Sequence, residues 1–251
     1  KCAHCEAQTG ESYIRQAQAP VPVMKKSMAA PSTVAFVMQE KFQNGVPLYR
    51  QEAYWKGQGV ELRRSTMANW VIRSSRWFKP LYELLRRELL RQDIVNVDET
   101  RVHVLKEDGR ESRQMSQMWV FCSAEKKIAL YQYSPSRSGR VAKEMLQGFS
   151  GYTQTDGYSG YHCLDSVTHV GCWAHARRKW VDCFVDGKPV QGSKSEAAFR
   201  LIEEMFALEQ AWKDETPQVR FDLRQEKLRP LLEHYWVLLD SFEAAEGTAL
   251  S

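Results

Sequence analysis

At Asp93-Ile94-Val95-Asn96-Val97-Asp98-Glu99-Thr100 the chain changes from helical to strand-like patterning. The β-branched residues of this stretch alternate with polar ones up to Asp98, the pattern of a strand with one buried face. The reading places Asp98 at the C-terminal end of that strand, followed by a chain reversal at Glu99-Thr100. Two more apolar, aromatic runs follow, Gln117 to Ser123 (QMWVFCS) and Ile128 to Tyr133 (IALYQY), separated by the polar turn Ala124 to Lys127. Three such runs predict an antiparallel meander. Arg140 to Gln147 reads as a helix ending at Gly148, Tyr152 to Thr155 as a fourth strand closing on Asp156-Gly157, and Val167 to Trp173 as a fifth. A helix carrying Ala176 to Phe184 comes next. The helical crossover before the fourth strand permits it to lie parallel to, and beside, the first in a mixed sheet. The predicted class is therefore α/β.

Upstream, the pattern is helical. Thr33 to Phe42 and Leu48 to Lys56 read as helices around the break Gly45-Val46-Pro47. Gly57-Gln58-Gly59 forms a turn, Ser65 is placed to cap a helix running to about Trp77, and Pro80 to start another ending near Gln92. Helix, short glycine turn, basic helix is a helix-turn-helix pattern, although a plain helical pair looks the same. Ten Lys/Arg against four acids between Arg50 and Arg91 give this window +6, more than the +4 of the whole chain. Such a concentration suits a polyanionic partner such as DNA, with Arg64, Arg73 and Arg76 as candidates for duplex contact. Beyond Gly192, apolar positions from Ala198 to Trp212 and from Leu228 to Phe242 recur at helical spacing, with Pro230 expected to interrupt the second stripe. Those stripes read as core or subunit contact.

The 251 residues are 43% hydrophobic, enough for a sizeable core, and no apolar stretch reaches the roughly 18 residues of a membrane span. A cytoplasmic, nucleoid-associated location and no membrane partner are the expectation. The six cysteines are scattered, which favours reduced thiols over a disulfide frame. Cys2 and Cys5 alone form a tight pair, half of what a zinc ribbon requires, and a fragment is suspected at this end.

Asp98 and Asp156, each at a strand end, would meet at one edge of the sheet if their strands are parallel neighbours. Clustered carboxylates bind hard cations such as Mg²⁺ or Mn²⁺ and leave positions open for a phosphate. Aspartates that merely serve turns would look alike at this level. Cys172-x-x-His175, with His162, Cys163 and His169 nearby, admits a zinc site, but Cys172 is more simply a small residue at a strand end. His175, with Arg177, Arg178 and Lys179, opens the following helix and is placed to meet a phosphate; a solvated basic face is the alternative. Trp173 and Trp180 read as packing residues. Glu99 points away from Asp98 by strand alternation and reads as structural.

The wording around these residues resembles the insertion-sequence-66 family of bacterial transposases. The resemblance is carried by VNVDETRVHVL (Val95 to Leu105), MWVF (Met118 to Phe121), YSPSRSG (Tyr133 to Gly139), GFSGYTQTDGYSGY (Gly148 to Tyr161) and GCWAHARRKW (Gly171 to Trp180). Upstream, PLYRQEAYWKGQGVELRRSTMANWV (Pro47 to Val71) resembles that family's helix-turn-helix region. The resemblance implies a ribonuclease-H-like core that cleaves and joins DNA through an Asp-Asp-Glu metal triad, with Asp98 as its first Asp and Asp156 as its second. It also implies a homo-oligomer acting on DNA ends and target, with zinc in the intact N-terminal region. The triad Glu lies in that family in an Asn-rich stretch absent between Gly192 and Ser251; Glu203, Glu204, Glu243 and Glu246 are weak substitutes. The expected organisation is a partial zinc-ribbon remnant and linker (1–31), a helical DNA-binding region (32–92), a catalytic core (93–187) and a helical insertion cut before the triad Glu (188–251). A catalytically silent DNA-binding protein or regulator is the competing expectation.

Overall fold

Val95 and Val97 are buried on one side of the first strand while Asn96 and Asp98 face the other, as alternation requires. In this computed structural model, which describes residues 3–10, 17, 21–105, 107–111, 113–123 and 125–241, the elements run in the following order. Helices α1 (Ala3–Thr9), α2 (Pro31–Phe42), α3 (Leu48–Gly57) and α4 (Arg64–Leu89) precede strands β1 (Ile94–His103), β2 (Met115–Ser123) and β3 (Ile128–Ser134). Helix α5 (Arg140–Met145), strand β4 (Tyr152–Thr155), a 3-10 turn (Ser159–Cys163), strand β5 (Thr168–Gly171) and helix α6 (Trp173–Val181) follow. The chain continues through α7 (Lys194–Ala211), α8 (Pro217–Leu223) and α9 (Arg229–Asp240). It divides into two compact units, Lys1–Glu83 and Leu84–Ser251.

In the second unit the sheet has the order β3-β2-β1-β4-β5. β1, β2 and β3 form the expected antiparallel meander, and β4 returns through α5 to lie parallel to β1, with β5 parallel beyond it. This mixed sheet, flanked by helices, is a ribonuclease-H-like α/β core. Trp119 and Phe121 of β2, Thr153 of β4 and Ala142 of α5 are almost wholly buried. Arg86, within this unit, donates to the carbonyls of Glu144 and Met145, at 2.9 Å each.

Strand β1 does not end at Asp98. It runs to His103, because antiparallel pairing with β2 continues from Asp98↔Val120 to His103↔Met115. Only its parallel pairing with β4 stops early, at Asn96↔Gln154. The reversal expected at Glu99-Thr100 is therefore absent.

The helical end of this unit packs Ala198, Leu201, Ile202 and Met205 of α7 against Trp180 and Tyr235, with Trp173 also contributing. Helix α7 opens on reciprocal caps: Ser193 Oγ accepts the Glu196 N–H, and the Glu196 carboxylate accepts the Gly192 N–H. The interruption expected near Pro230 takes the form of a π-helical turn, Arg224–Leu228, directly before α9, which places Pro230 in a first turn where its missing N–H does least harm.

In the first unit, Val34 and Val37 of α2 and Met67 and Trp70 of α4 share a core with Met24 and Leu62. Gln51 of α3 is buried and donates to the carbonyls of Val37 and Val46, tying α3 to the middle of α2 and to the loop that follows it. The break near Pro80 does not occur. Helix α4 is continuous through it, because a proline removes one amide bond, and the carbonyl so freed belongs to Arg76, on an exposed stretch that water can serve. Ser65 is not its cap either. The first turn hangs on the Arg63 carbonyl, and the N–H of Arg64 is met by the Glu52 carboxylate at 3.0 Å.

Candidate functional site

Asn96 and Gln154 are the last residues paired between β1 and β4. Two positions further along each strand stand Asp98 and Asp156. With parallel strands about 4.8 Å apart, that shared register places both residues at the same level at one edge of the sheet. Asp98 is half exposed and Asp156 about a quarter exposed. The charges of both act on the Tyr161 hydroxyl, whose ionisation is pushed far upward, chiefly by burial, then by Glu99, Asp156 and Asp98.

Each aspartate is oriented by backbone. The Glu99 N–H donates to Asp98 Oδ1 at 2.9 Å, and the Tyr158 N–H donates to Asp156 Oδ1 at 2.9 Å. The second oxygen of Asp98 faces His175, whose Nε2 lies 3.9 Å away and whose Nδ1 is enclosed without a hydrogen-bond partner. A cavity of about 310 Å³ opens here, lined by Asp98, His175, Asn96, Gln154, Cys122 and Cys172. Burial, supported by the Asp98 charge, raises the Cys122 thiol above its ordinary ionisation range, so it is a neutral wall.

The second oxygen of Asp156 faces Arg137, at 3.4 Å. Arg137 comes from the Ser134–Gly139 loop, and its stronger partner is Glu99, which accepts from Nε at 2.6 Å. The guanidinium also lies 3.9 Å from the Tyr158 ring centroid. Glu99 is on the face opposite Asp98, as alternation required, and its side chain is 1% exposed. Its other oxygen accepts from the Tyr161 hydroxyl. Arg137 and Tyr161 were not singled out in the sequence, and Glu99 was read there only as a structural residue. The available signal was an arginine in a Ser/Pro/Gly loop and a second acid adjoining Asp98. The two loops meet very closely: a Cβ built on Gly139 would stand 1.8 Å from the Gly160 carbonyl oxygen.

The basic residues of α6 part company. Arg177 pairs with Glu203 and lies over the Phe199 ring at 4.9 Å, so it is turned to α7, whereas Arg178 and Lys179 are exposed. Trp180 is buried and donates to the Tyr235 hydroxyl at 3.0 Å, and Trp173 packs on the same ring, as packing residues should. On α4, Arg64 and Arg76 are exposed, while Arg73 donates to the Lys25 carbonyl at 3.2 Å.

Among the described residues, no three His, Cys, Asp or Glu side chains converge on one point as a metal cage. That disposes of the zinc reading for Cys172 and His175 with their neighbours; His169 instead faces the Leu164 carbonyl and Cys163 the Gly139 carbonyl. Cys5 is an exposed free thiol, while Cys2, Glu243 and Glu246 lie outside the described residues. Glu203 is engaged by Arg177. Two carboxylates do fit a cation of the Mg²⁺ class, which is commonly held by one or two protein carboxylates plus substrate phosphate. No helix among the described residues is long and apolar enough to cross a membrane.

The chain is 31% identical over 241 residues to the uncharacterized protein y4jD of Sinorhizobium fredii, covering 88% of this chain and 46% of that protein. It is 28% identical to y4qI and 26% identical to y4hP of the same organism, covering 87% and 94% of this chain and 43% and 46% of those proteins. The chain thus spans a little under half the length of these relatives. The profile of the Transposase IS66 family matches residues 26–249, and with that match spanning both compact units the chain belongs to this family of transposases.

Proposed function

We propose that this chain carries the DNA-binding region and the first two carboxylates of a DDE-type transposase, which hydrolyses DNA at element ends and then joins the freed 3′-hydroxyl to a target phosphodiester, displacing the target strand's own 3′-oxygen. The observation that carries this reading is the placement of Asp98 and Asp156 at matched positions beyond the parallel β1/β4 ladder, each held by a backbone N–H. Asp98 and Asp156 are the residues that would hold Mg²⁺ or Mn²⁺. When bound, such ions supply an activated water or hydroxyl nucleophile and stabilise the leaving oxygen of an in-line phosphodiester displacement.

The chain's own side chains have distinct tasks. Asp98 and Asp156 present one oxygen each, because the other is fixed by main chain. His175 stands beside Asp98 at the mouth of the cavity and is placed to donate to a DNA phosphate, with Arg178 and Lys179 adding positive charge on the same helix. In the first unit, α3 and α4 with the turn between them form the helix-turn-helix, and Arg64 and Arg76 contact the duplex.

The test is a strand-transfer assay on pre-nicked ends with Mg²⁺ or Mn²⁺, comparing this chain with Asp98→Ala and Asp156→Ala. Activity present in the parent and lost in both variants supports the enzyme. Gel-shift binding with no cleavage by any of the three favours a silent DNA-binding protein, the outcome consistent with the lack of a third converging carboxylate among the described residues. DNA binding that is absent or independent of salt overturns both readings.

A further inference from the structure

We propose that Glu99 and Arg137 set the cation affinity of the Asp98 and Asp156 pair, Glu99 acting as a positioning residue that holds the Arg137 guanidinium off Asp156; this rests on the metal-binding reading above. Among the described residues Arg137 is the cationic group that pairs with Asp156, and an arginine beside a carboxylate competes with any metal ion for it. The geometry limits that competition. Glu99 takes Nε at 2.6 Å and Nη2 at 2.5 Å, whereas Asp156 receives Nη2 only at 3.4 Å. The Tyr158 ring lies under the guanidinium at 3.9 Å, and the Tyr158 hydroxyl donates to the Arg137 carbonyl at 3.1 Å, so both ends of the residue are fixed. Glu99 in turn cannot swing outward: its side chain is 1% exposed and its second oxygen accepts from the buried Tyr161.

Charge makes the same point. Glu99 and Arg137 cancel, so the pair Asp98 and Asp156 keeps its two negative charges for a divalent cation. Removing the Glu99 charge leaves the half-exposed Arg137 guanidinium, still held over the Tyr158 ring, with Asp156 as its anionic partner among the described residues. The aspartate would then be neutralised by the protein itself. Removing both charges together returns Asp156 to the cation. A merely structural Glu99 would show no such rescue.

The experiment measures Mn²⁺ binding to the full chain by electron paramagnetic resonance for the parent, Asp98→Asn, Glu99→Gln and Glu99→Gln/Arg137→Gln, with thermal melting to follow the fold. Expected is a loss of affinity of about tenfold or more in Glu99→Gln, and a return to within about threefold of the parent in the double variant. If Glu99→Gln does not fold, the parent decides by nitrogen-15 NMR. Its Arg137 Nε–H resonance, assigned by Arg137→Gln, should keep its position and slow exchange when Mg²⁺ is added, since Glu99 holds it in both states. Unchanged affinity in Glu99→Gln, a loss the double variant does not restore, or an Arg137 resonance that moves with Mg²⁺ overturns the inference while leaving Asp98-dependent Mn²⁺ binding intact. Mn²⁺ binding that Asp98→Asn does not diminish overturns the metal-binding reading and the inference with it.

Discussion

His175 Nε2 stands 3.9 Å from Asp98 Oδ2, bringing the first turn of α6 against the middle of β1. A contact of that length orients rather than bonds, and it leaves the imidazole free to donate to a substrate oxygen. Replacing His175 by Ala is expected to slow strand transfer by about 10–100-fold, the worth of one hydrogen bond to a charged group at roughly 1.5–3 kcal/mol. Overall DNA affinity should fall far less. Single-turnover kinetics beside an equilibrium binding curve separate the two, and equal losses in both would remove His175 from the reacting phosphate.

DNA binding by the first unit should depend on the arginines unequally. Arg64→Ala and Arg76→Ala are each expected to lower the slope of log affinity against log salt by about 1, as loss of one phosphate contact does. Arg73→Ala should change it less, because that guanidinium already donates to the Lys25 carbonyl. Fluorescence anisotropy through a salt titration reads all three; equal slopes would remove these residues from the interface.

The Trp180 indole donates to the Tyr235 hydroxyl at 3.0 Å inside the α6, α7 and α9 core. Tyr235→Phe leaves that buried N–H without its acceptor and is expected to destabilise the second unit by about 1–3 kcal/mol. Trp180→Ala opens a cavity as well, at about 3–5 kcal/mol. Urea unfolding measures both, and a neutral Tyr235→Phe would mean that the hydroxyl contributes nothing there.

Acid should weaken the β1–β2 connection. The Tyr133 hydroxyl holds the Glu107 carboxyl below its ordinary value, aided by Ser116 and Arg110 and opposed by burial. A folded value below the unfolded one, about 4.3, gives stability that is complete above the unfolded value and lost as pH falls through the folded one. Glu107→Gln should therefore be less stable than the parent near neutral pH and converge with it in acid. Urea midpoints across that range check the sign, and a gap that widens in acid contradicts it.

Much of the sheet was legible because its information is local. Val95 and Val97 alternate with polar residues, and the crossover through α5 leaves few topologies for β4. The extent of β1 was not legible, since Thr100 to His103 are held as strand by Met115 to Met118 of another segment. Pro80 misled for a related reason: local chemistry favours a break, and an exposed Arg76 carbonyl makes continuity tolerable. The matched placement of Asp98 and Asp156 followed from the parallel pairing of β1 and β4. The link from Glu99 through Arg137 to Asp156 did not, because it joins three segments by side chains alone. Alternation correctly turned Glu99 away from Asp98, yet gave no sign of the arginine that meets it there.

Between Gly139 and Gly160 there is no room for a single additional carbon atom. The loop that carries Arg137 and the turn that carries Tyr161 are thus pressed together at main-chain distance, and a side chain at Gly139 acts as a wedge against the Gly160 carbonyl, whereas one at Gly160 would run into the Tyr158 ring. The effect of the wedge would surface elsewhere, as a change in the spacing between Arg137, Glu99 and Asp156. For this protein, a methyl group placed on the rim is a way to alter the charge balance at the carboxylates without touching a charged residue.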